Sequence, residues 1–582
     1  MVVIEELKRR RVFRAIVAYG VFSFALLQVI EPLMHGLHLP DSTLTVAVIA
    51  LGFGFPVVVV LSWGFDLTRG VLERVAPPPP SAHPWLRGAR LAVLLSAIGV
   101  LSAAPGIVIY MLAVRRAPAP EVPPEPTGPS IAVLPFADLS AGRDQEYFSD
   151  GLAEEILDAL AHVEGLRVTG RTSSFSFKGK NEDAQSIAQK LHVTTLLEGS
   201  VRREGTRLRI TAQLINAADG FHLWSQTFDR QVAGIFAVQE EISAAVVQAL
   251  RVKLLPGRVL PAPQARKTTP EAYALYLIAL QLLNRGSADN FRRAIDAYEK
   301  ALALDEGYAP AWAGLALATF YASNVAGKPA EVQALIRRAT AAAERAVTLG
   351  PDLAETWAAR GYLRALVEWN WEGAMSDLHR ALAINGGDAQ GLRRYALVLA
   401  TLGRLPEAIA ATRRSAGLDP LAAEVWDNLG YLSTASGDLA GARAASARAL
   451  EIAPEQSYAA NHAAVADLLD GRAAQALQGF ERTGEEIFRL QGVAMAQHEL
   501  GHEVQAKRAL DQLIAKYAHN SAFQIAQAHA FRGEADAAFT WLERAYEQRD
   551  GGLSLLKCDP LLAKIRPDPR YAALLRKLRL PR

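Results

Sequence analysis

The string His498-Glu499-Leu500-Gly501-His502 has the residue types and spacing with which a protein can hold zinc and drive hydrolysis. Two imidazoles four positions apart share one face of a continuous helix, the glutamate beside them can act as general base toward a metal-bound water, and a third ligand comes from elsewhere. That chemistry requires an unbroken helical turn from His498 to His502. Other chemical motifs are missing. No GxxxxGK(S/T) phosphate loop occurs, and the nearest string, Lys178-Gly179-Lys180, is only a basic turn. Gly52-Phe53-Gly54 lies inside an apolar run and cannot open a dinucleotide fold, and there is no GxSxG elbow. The single cysteine, Cys558, excludes an intrachain disulfide framework and a Cys-based metal cluster. No cofactor is expected.

The elements around HELGH decide against the metal. Residues recur at a spacing of thirty-four: Trp426 answers to Leu392 and Ala460, Gly437 to Gly403 and Gly471, Ala442 to Ala408 and Ala476, and Pro454 to Pro420. Within a unit, a large apolar residue on a first helix, a turn glycine, small residues on a second helix and a closing proline describe a helix-turn-helix pair. This pattern resembles the tetratricopeptide repeat (TPR), and the resemblance implies an all-α right-handed solenoid of seven or eight helix pairs with a concave face. Gly501 stands five residues before Ala506, as Gly437 stands before Ala442, so it belongs in an interhelical turn. His498 should then end one helix and His502 sit in the turn or start the next, with ring nitrogens that do not converge. HELGH matches the HExxH signature of zinc metalloproteases, but the GxxH extension is absent, and no metal site is expected. A protease remains the least favoured function.

The array is expected over 271–582, with an insertion at 325–329 and a short terminal helix capping the stack. Helix positions that should line the concave face carry Tyr362, Arg393, Asp427, Tyr431 and Asn461. Aromatic and polar side chains in a groove suit an extended peptide or a partner helix, and these five are the candidate partner-binding residues. The Lys and Asn set with which other TPR domains clamp a chaperone carboxyl terminus is missing from these positions.

Residues 130–255 alternate differently. Ser130–Phe136 reads as a buried strand, Asp150 as the cap of a helix whose stripe is Leu152, Ile156, Leu160 and Val163, and Ala184–Leu191 as a second helix. Leu208, Ile210, Ala212 and Leu214 alternate with Arg207, Arg209, Thr211 and Gln213, the period of a strand with one wet face. Glu204-Gly205 and Asp219-Gly220 supply turns for a three-stranded meander, and a helix from Ile235 to Leu254 closes the unit. At IAVLPFADLS, EYFSDGLAEEI and LLEGSVRREGTRLRITAQLINAADGFHLWSQTFDR this α+β segment resembles the TolB-like amino-terminal domain of bacterial envelope and signalling proteins. The resemblance implies an interaction module, since that family brings no catalytic set.

In the first 116 residues, apolar segments at about 12–34, 43–65 and 91–114 are long enough to cross about 30 Å of hydrocarbon. Lys8, Arg9, Arg10, Arg11 and Arg14 precede the first, and Arg69, Arg74, Arg87 and Arg90 lie between the second and third. The positive-inside rule puts those cations in the cytoplasm and the rest of the chain in the periplasm of a bacterial inner membrane. Six prolines in the thirteen residues 117–129 make a spacer of roughly 40 Å, and a second linker spans 256–270. A formal charge of +2 over 582 residues gives no support to nucleic-acid binding.

The expected architecture is therefore multidomain: three transmembrane helices, a small α+β domain and an all-α TPR solenoid. The expected function is a non-enzymatic, membrane-embedded protein-protein interaction scaffold, with a subunit relaying periplasmic binding to a cytoplasmic signalling partner as the alternative.

Overall fold

The computed structural model describes residues 128–231 without 143, 144 and 164, helical positions between 241 and 249, and residues 268–581 without 327 and 328. Before residue 128 it describes Tyr19 and the backbone of one hairpin, β1 (Phe65–Thr68) and β2 (Val71–Arg74), with Thr68 opposite Val71. The expected spans 12–34, 43–65 and 91–114 otherwise lie outside the described residues, as do nearly all of both linkers and much of the helix expected at Ile235–Leu254. Phe65, expected to end the second span, instead begins β1. Among the described residues no helix is long and apolar enough to cross a membrane.

Residues 119–582 form one compact unit. Its sheet is built around β3 (Ser130–Val133), which is buried along its whole length and pairs in parallel with β5 (Arg167–Val168) and β6 (Thr195–Glu204). Parallel neighbours require crossovers, and helices α1 (Glu146–Ala161), α2 (Arg171–Phe175) and α3 (Ala184–Leu191) lie on them. β6, β7 (Arg207–Asn216) and β8 (His222–Gln231) then run as the expected antiparallel meander, giving the order β5-β3-β6-β7-β8, with the short β4 (Ala137–Asp138) beside β6. On β7 the apolar set Leu208, Ile210, Ala212 and Leu214 is buried and Arg207 and Arg209 are exposed, as the alternation requires.

One expectation is corrected here. Asp150 does not cap α1, because the helix starts at Glu146, with Gln145 at its cap position. Asp150 lies in the second turn, buried, and its carboxylate accepts from Lys178 Nζ at 2.6 Å and from Gln281 Nε2 at 3.1 Å.

The array holds eight helix pairs among the described residues. They are α4 (Pro270–Arg285) with α5 (Ala288–Leu304), α6 (Ala309–Asn324) with α7 (Pro329–Leu349), α8 (Ala354–Leu366) with α9 (Trp371–Ile384), and α10 (Ala389–Thr401) with α11 (Leu405–Leu418). After these come α12 (Ala423–Ser436) with α13 (Leu439–Ile452), α14 (Ser457–Leu469) with α15 (Ala473–Glu481), α16 (Glu486–Glu499) with α17 (Glu503–Tyr517), and α18 (Ala522–Phe531) with α19 (Ala535–Gln548). From the fourth pair to the eighth the turn residue is Gly403, Gly437, Gly471, Gly501 or Gly533, each with φ between 73° and 86°. That is the left-handed region where a Cβ is costly. Ala408, Ala442, Ala476, Ala506 and Ala538 follow five residues later and have no exposed surface, so the two helices of each pair approach closely at this point.

Two sets of contacts bend this picture away from beads on a string. The α+β domain and the first pairs share one core, in which Phe148, Leu152 and Ile156 of α1 join Tyr273, Tyr276 and Leu277 of α4. A Cβ on Gly151 would stand 2.5 Å from Leu277 Cδ1, so α1 and α4 touch at a position with no room for a side chain. A second joint lies four repeats away. Gly170 N donates to Leu418 O, Ser173 N donates to Asp419 Oδ1 at 2.6 Å, and Leu421 N donates to Ser173 Oγ at 2.8 Å. Burial holds the Asp419 carboxyl above the usual range, with its hydrogen bonds to Ser173 and Thr172 opposing.

The terminal segment forms the second set. After α19 the chain makes two 3-10 turns, Gly551–Leu555 and Pro560–Ile565, and the expected short helix α20 (Pro569–Lys577). It covers the last pair, as a cap should, but it also returns to the third and fourth pairs. Trp371 Nε1 donates to Leu578 O at 2.8 Å, Arg549 Nη1 donates to Val367 O, and Lys557 Nζ donates to Leu402 O. Trp371, Ala374 and Leu378 share a core with Leu562, Leu574 and Leu578. The tail is a clasp between distant repeats as well as an end cap.

Candidate partner-binding surface

The repeat register puts all five candidate residues on first helices of their pairs, at Tyr362 on α8, Arg393 on α10, Asp427 and Tyr431 on α12, and Asn461 on α14. Their surroundings divide them into two groups. The Tyr362 ring meets Phe320 edge-on at 5.8 Å between centroids, and the Arg394 guanidinium lies 5.0 Å from its centre. Burial and the neighbouring Tyr321 push the Tyr362 phenol up, while the cations Arg393 and Arg394 pull it down. Arg393 is half-buried, and its Nε donates to Gln390 Oε1 at 3.0 Å.

Asp427 and Tyr431 lie beside His462, the residue after Asn461 on α14, and Tyr431 also meets the returning tail. Asp427 Oδ1 and His462 Nδ1 are hydrogen-bonded at 2.7 Å, the Tyr431 ring packs on His462 at 5.3 Å, and the Tyr431 hydroxyl meets Cys558 Sγ at 3.5 Å. Asp427 and Asn461 are buried. Burial pushes the Cys558 thiol up to about 12, which makes it an inert packing group at neutral pH. Next to it Asp559, also buried, accepts from Leu561 N at 2.8 Å and from Gln527 Nε2 at 2.5 Å, and Gln527 Oε1 accepts in turn from Gln491 Nε2.

Sequence reasoning missed Arg394, His462, Gln491, Gln527 and Asp559. Arg394 and His462 could have been found, as the chain neighbours of Arg393 and Asn461. Gln491 and Gln527 join the network because Asp559 of the tail reaches Gln527.

HELGH takes the geometry that its repeat register requires. His498 lies in the last turn of α16 and His502 stands at the cap of α17, with Gly501 at φ 77° between them. Their rings bind different partners, His498 Nδ1 with Glu503 Oε1 at 2.6 Å and His502 Nδ1 with Gln497 Oε1 at 2.8 Å. Among the described residues no group of three His, Cys, Asp or Glu side chains is placed to hold a metal ion.

Comparison with known proteins separates the two described regions. The family model described as Tetratricopeptide repeat matches residues 423–456, the unit formed by α12 and α13. The array is built of tetratricopeptide repeats. Residues 127–245 match a model described as the second domain of HilA/YgeH-like transcriptional regulators, which covers the sheet and α1 to α3. A protein named putative adenylate cyclase 3 of Rhizobium meliloti (strain 1021) is 42% identical over 200 residues, 34% of this chain and 34% of that protein. This chain therefore matches about a third of the length of that relative. Among solved structures, pilF of Pseudomonas aeruginosa is 21% identical and covers 37% of this chain and 93% of its own, with a TM-score of 0.30. A thermophilic TPR protein of Thermus thermophilus is 22% identical over 34% of this chain and 99% of its own, with a TM-score of 0.29. At such scores the assignment of the array rests on the family model and on the helix pairs themselves.

Proposed function

We propose that this chain is a non-enzymatic interaction scaffold anchored in a bacterial inner membrane, with its α+β domain, read as a TolB-like module, and its TPR array on the periplasmic side. The observation that carries the scaffold reading is the array itself, eight helix pairs with half-buried aromatic and cationic side chains on one set of helices. Such surfaces take extended peptides or partner helices. Membrane anchoring rests on the three apolar segments, and the orientation on the nine cations that precede the third. The test is a pair of reporter fusions. An exported reporter active only in the periplasm should work after Thr127 and fail after Val75, and the reverse pair of signals would sink the topology. Crosslinking in intact membranes, with the crosslinked peptides mapped on the chain, then asks whether partners contact the array.

A second reading is favoured by the comparisons. The match to a domain of transcriptional regulators and the likeness to a protein named a putative adenylate cyclase both point to signalling chains. In this reading the array senses a partner and the membrane segments relay the event to a separate cytoplasmic protein. Replacing residues 66–90 with a neutral linker distinguishes the two. An unchanged cellular phenotype favours the scaffold, and loss of phenotype with partner binding intact favours the relay.

A further inference from the structure

Most half-buried arginines of the array are ion-paired. Arg360 and Arg364 on α8 clamp Asp377 and Glu344 at 2.8 to 3.0 Å, Arg443 reaches Asp470 at 3.1 Å, and Arg472 reaches Asp467 at 2.5 Å. Arg393 and Arg394, consecutive on α10, depart from that rule. Both are half-buried, and neither has an ion-pair partner among the described residues. Arg393 spends only its Nε, on the neutral Gln390. Arg394 rests on the Tyr362 ring, and its Nε is out of reach of solvent with no hydrogen-bond partner. A half-buried guanidinium without a carboxylate has lost part of its hydration with no ion pair in return, and its planar terminal donors are well shaped to recover that loss from a carboxylate. Beside the two cations stand Tyr362, Phe320 and Tyr321, a wall of rings 5.7 to 5.8 Å apart.

We propose that Arg393 and Arg394, with Tyr362 and Tyr321, bind an extended segment of a partner protein that presents a carboxylate next to an aromatic or apolar side chain. The carboxylate takes the terminal Nη groups of the two guanidiniums, and the neighbouring side chain packs on the tyrosines. The proposal deepens the scaffold reading and rests on it, since it names the chemistry of the partner at the same surface. It uses the stretch of the array where the candidate residues bond only to array neighbours, away from the Cys558 contact.

The experiment titrates a fluorescent probe peptide, with aspartate and glutamate on both sides of one phenylalanine, into the full chain in detergent. A second probe carries asparagine and glutamine in place of the acids. The acidic probe is expected to bind at least tenfold more tightly than the amide probe, and the double substitution Arg393→Gln, Arg394→Gln should abolish the difference while leaving the thermal midpoint unchanged. Should the double glutamine variant melt early, Arg393→Lys with Arg394→Lys is read instead, and partial loss is expected because the ammonium keeps charge without the planar fork. Equal binding of the two probes, or a preference that persists in a well-folded double variant, overturns the proposal. So does full competition by a single-stranded oligonucleotide, which would assign the cations to phosphate. Crosslinking in membranes separates the two levels. A double variant that captures the same partners at the array overturns the anionic-segment proposal alone, and a wild-type chain with no partner crosslinked to the array overturns both.

Discussion

The two stretches of the candidate surface carry equivalent repeat positions and behave differently. At Tyr362 and Arg393 the side chains bond to neighbouring repeats and leave guanidinium groups without carboxylates. At Asp427 and Tyr431 the same helix positions are taken up by His462 and by Cys558 of the chain's own tail. A repeat position therefore says which way a side chain faces, and it says nothing about what stands in front of it. In this molecule a segment more than one hundred residues downstream supplies the answer for one stretch and not for the other.

Removing the tail is the strongest way to break that contrast. A chain ending at Arg549 loses Leu553, Leu556, Leu562, Ile565, Leu574 and Leu578 from the core, each at most 2% exposed. Side chains of this kind are worth roughly 1.5 to 3 kcal/mol apiece when fully buried. The last three helix pairs should lose protection in hydrogen exchange while α4 to α7 keep theirs, and equal protection in the truncated chain would show that the clasp holds nothing.

Trp426→Ala should follow, at about 3 to 5 kcal/mol, because it empties a buried site and removes the hydrogen bond from Nε1 to Pro420 O. From the repeats alone, this damage should stay within adjacent pairs. The structure extends it to the α+β domain, because Pro420 lies between Asp419 and Leu421, which bond Ser173. Limited proteolysis should nick both regions at the same protease concentration. Nicking of the array alone would restore the picture of independent modules.

Asp559 provides a smaller effect with a defined sign. Burial raises its carboxyl from the ordinary 3.8 to about 6, against the opposing hydrogen bonds of Leu561 and Gln527 and the nearby Arg566 and His462. The folded chain thus holds this proton more tightly than the unfolded chain does. Its contribution favours the docked tail fully below about pH 4 and is lost as pH rises through about 6, an effect of at most about 3 kcal/mol. Hydrogen exchange in the tail should accelerate between pH 5 and pH 7 beyond the intrinsic rate, and Asp559→Asn should flatten that excess.

The smallest effect belongs to the other stretch. Arg393→Gln breaks no ion pair among the described residues, so stability should change by no more than about 0.5 kcal/mol. A calorimetric shift several times larger would mean that Arg393 is structural, and the contrast between the two stretches would dissolve.

What the chain's own pattern determined is local. The period of thirty-four residues located the turn glycines, the buried alanines and the break inside HELGH, because a glycine at positive φ and a small residue at a helix crossing are demands made by neighbours in sequence. Alternation likewise located β7 and the meander, since a strand with one buried face announces itself every second residue. The placement of Tyr362, Arg393, Asp427, Tyr431 and Asn461 on the first helices of their pairs was legible for the same reason. Tertiary structure alone decided the rest. Asp150 has the side chain of a helix cap, but Lys178 and Gln281 recruit it to a joint, and no pattern near residue 150 records a partner 131 positions away. The docking of Ser173 on Asp419 and of the tail on Tyr431 depends on how the helix pairs stack, which brings together segments whose contact leaves no periodic trace. Local rules place side chains on faces, whereas burial of the faces depends on where the whole chain returns.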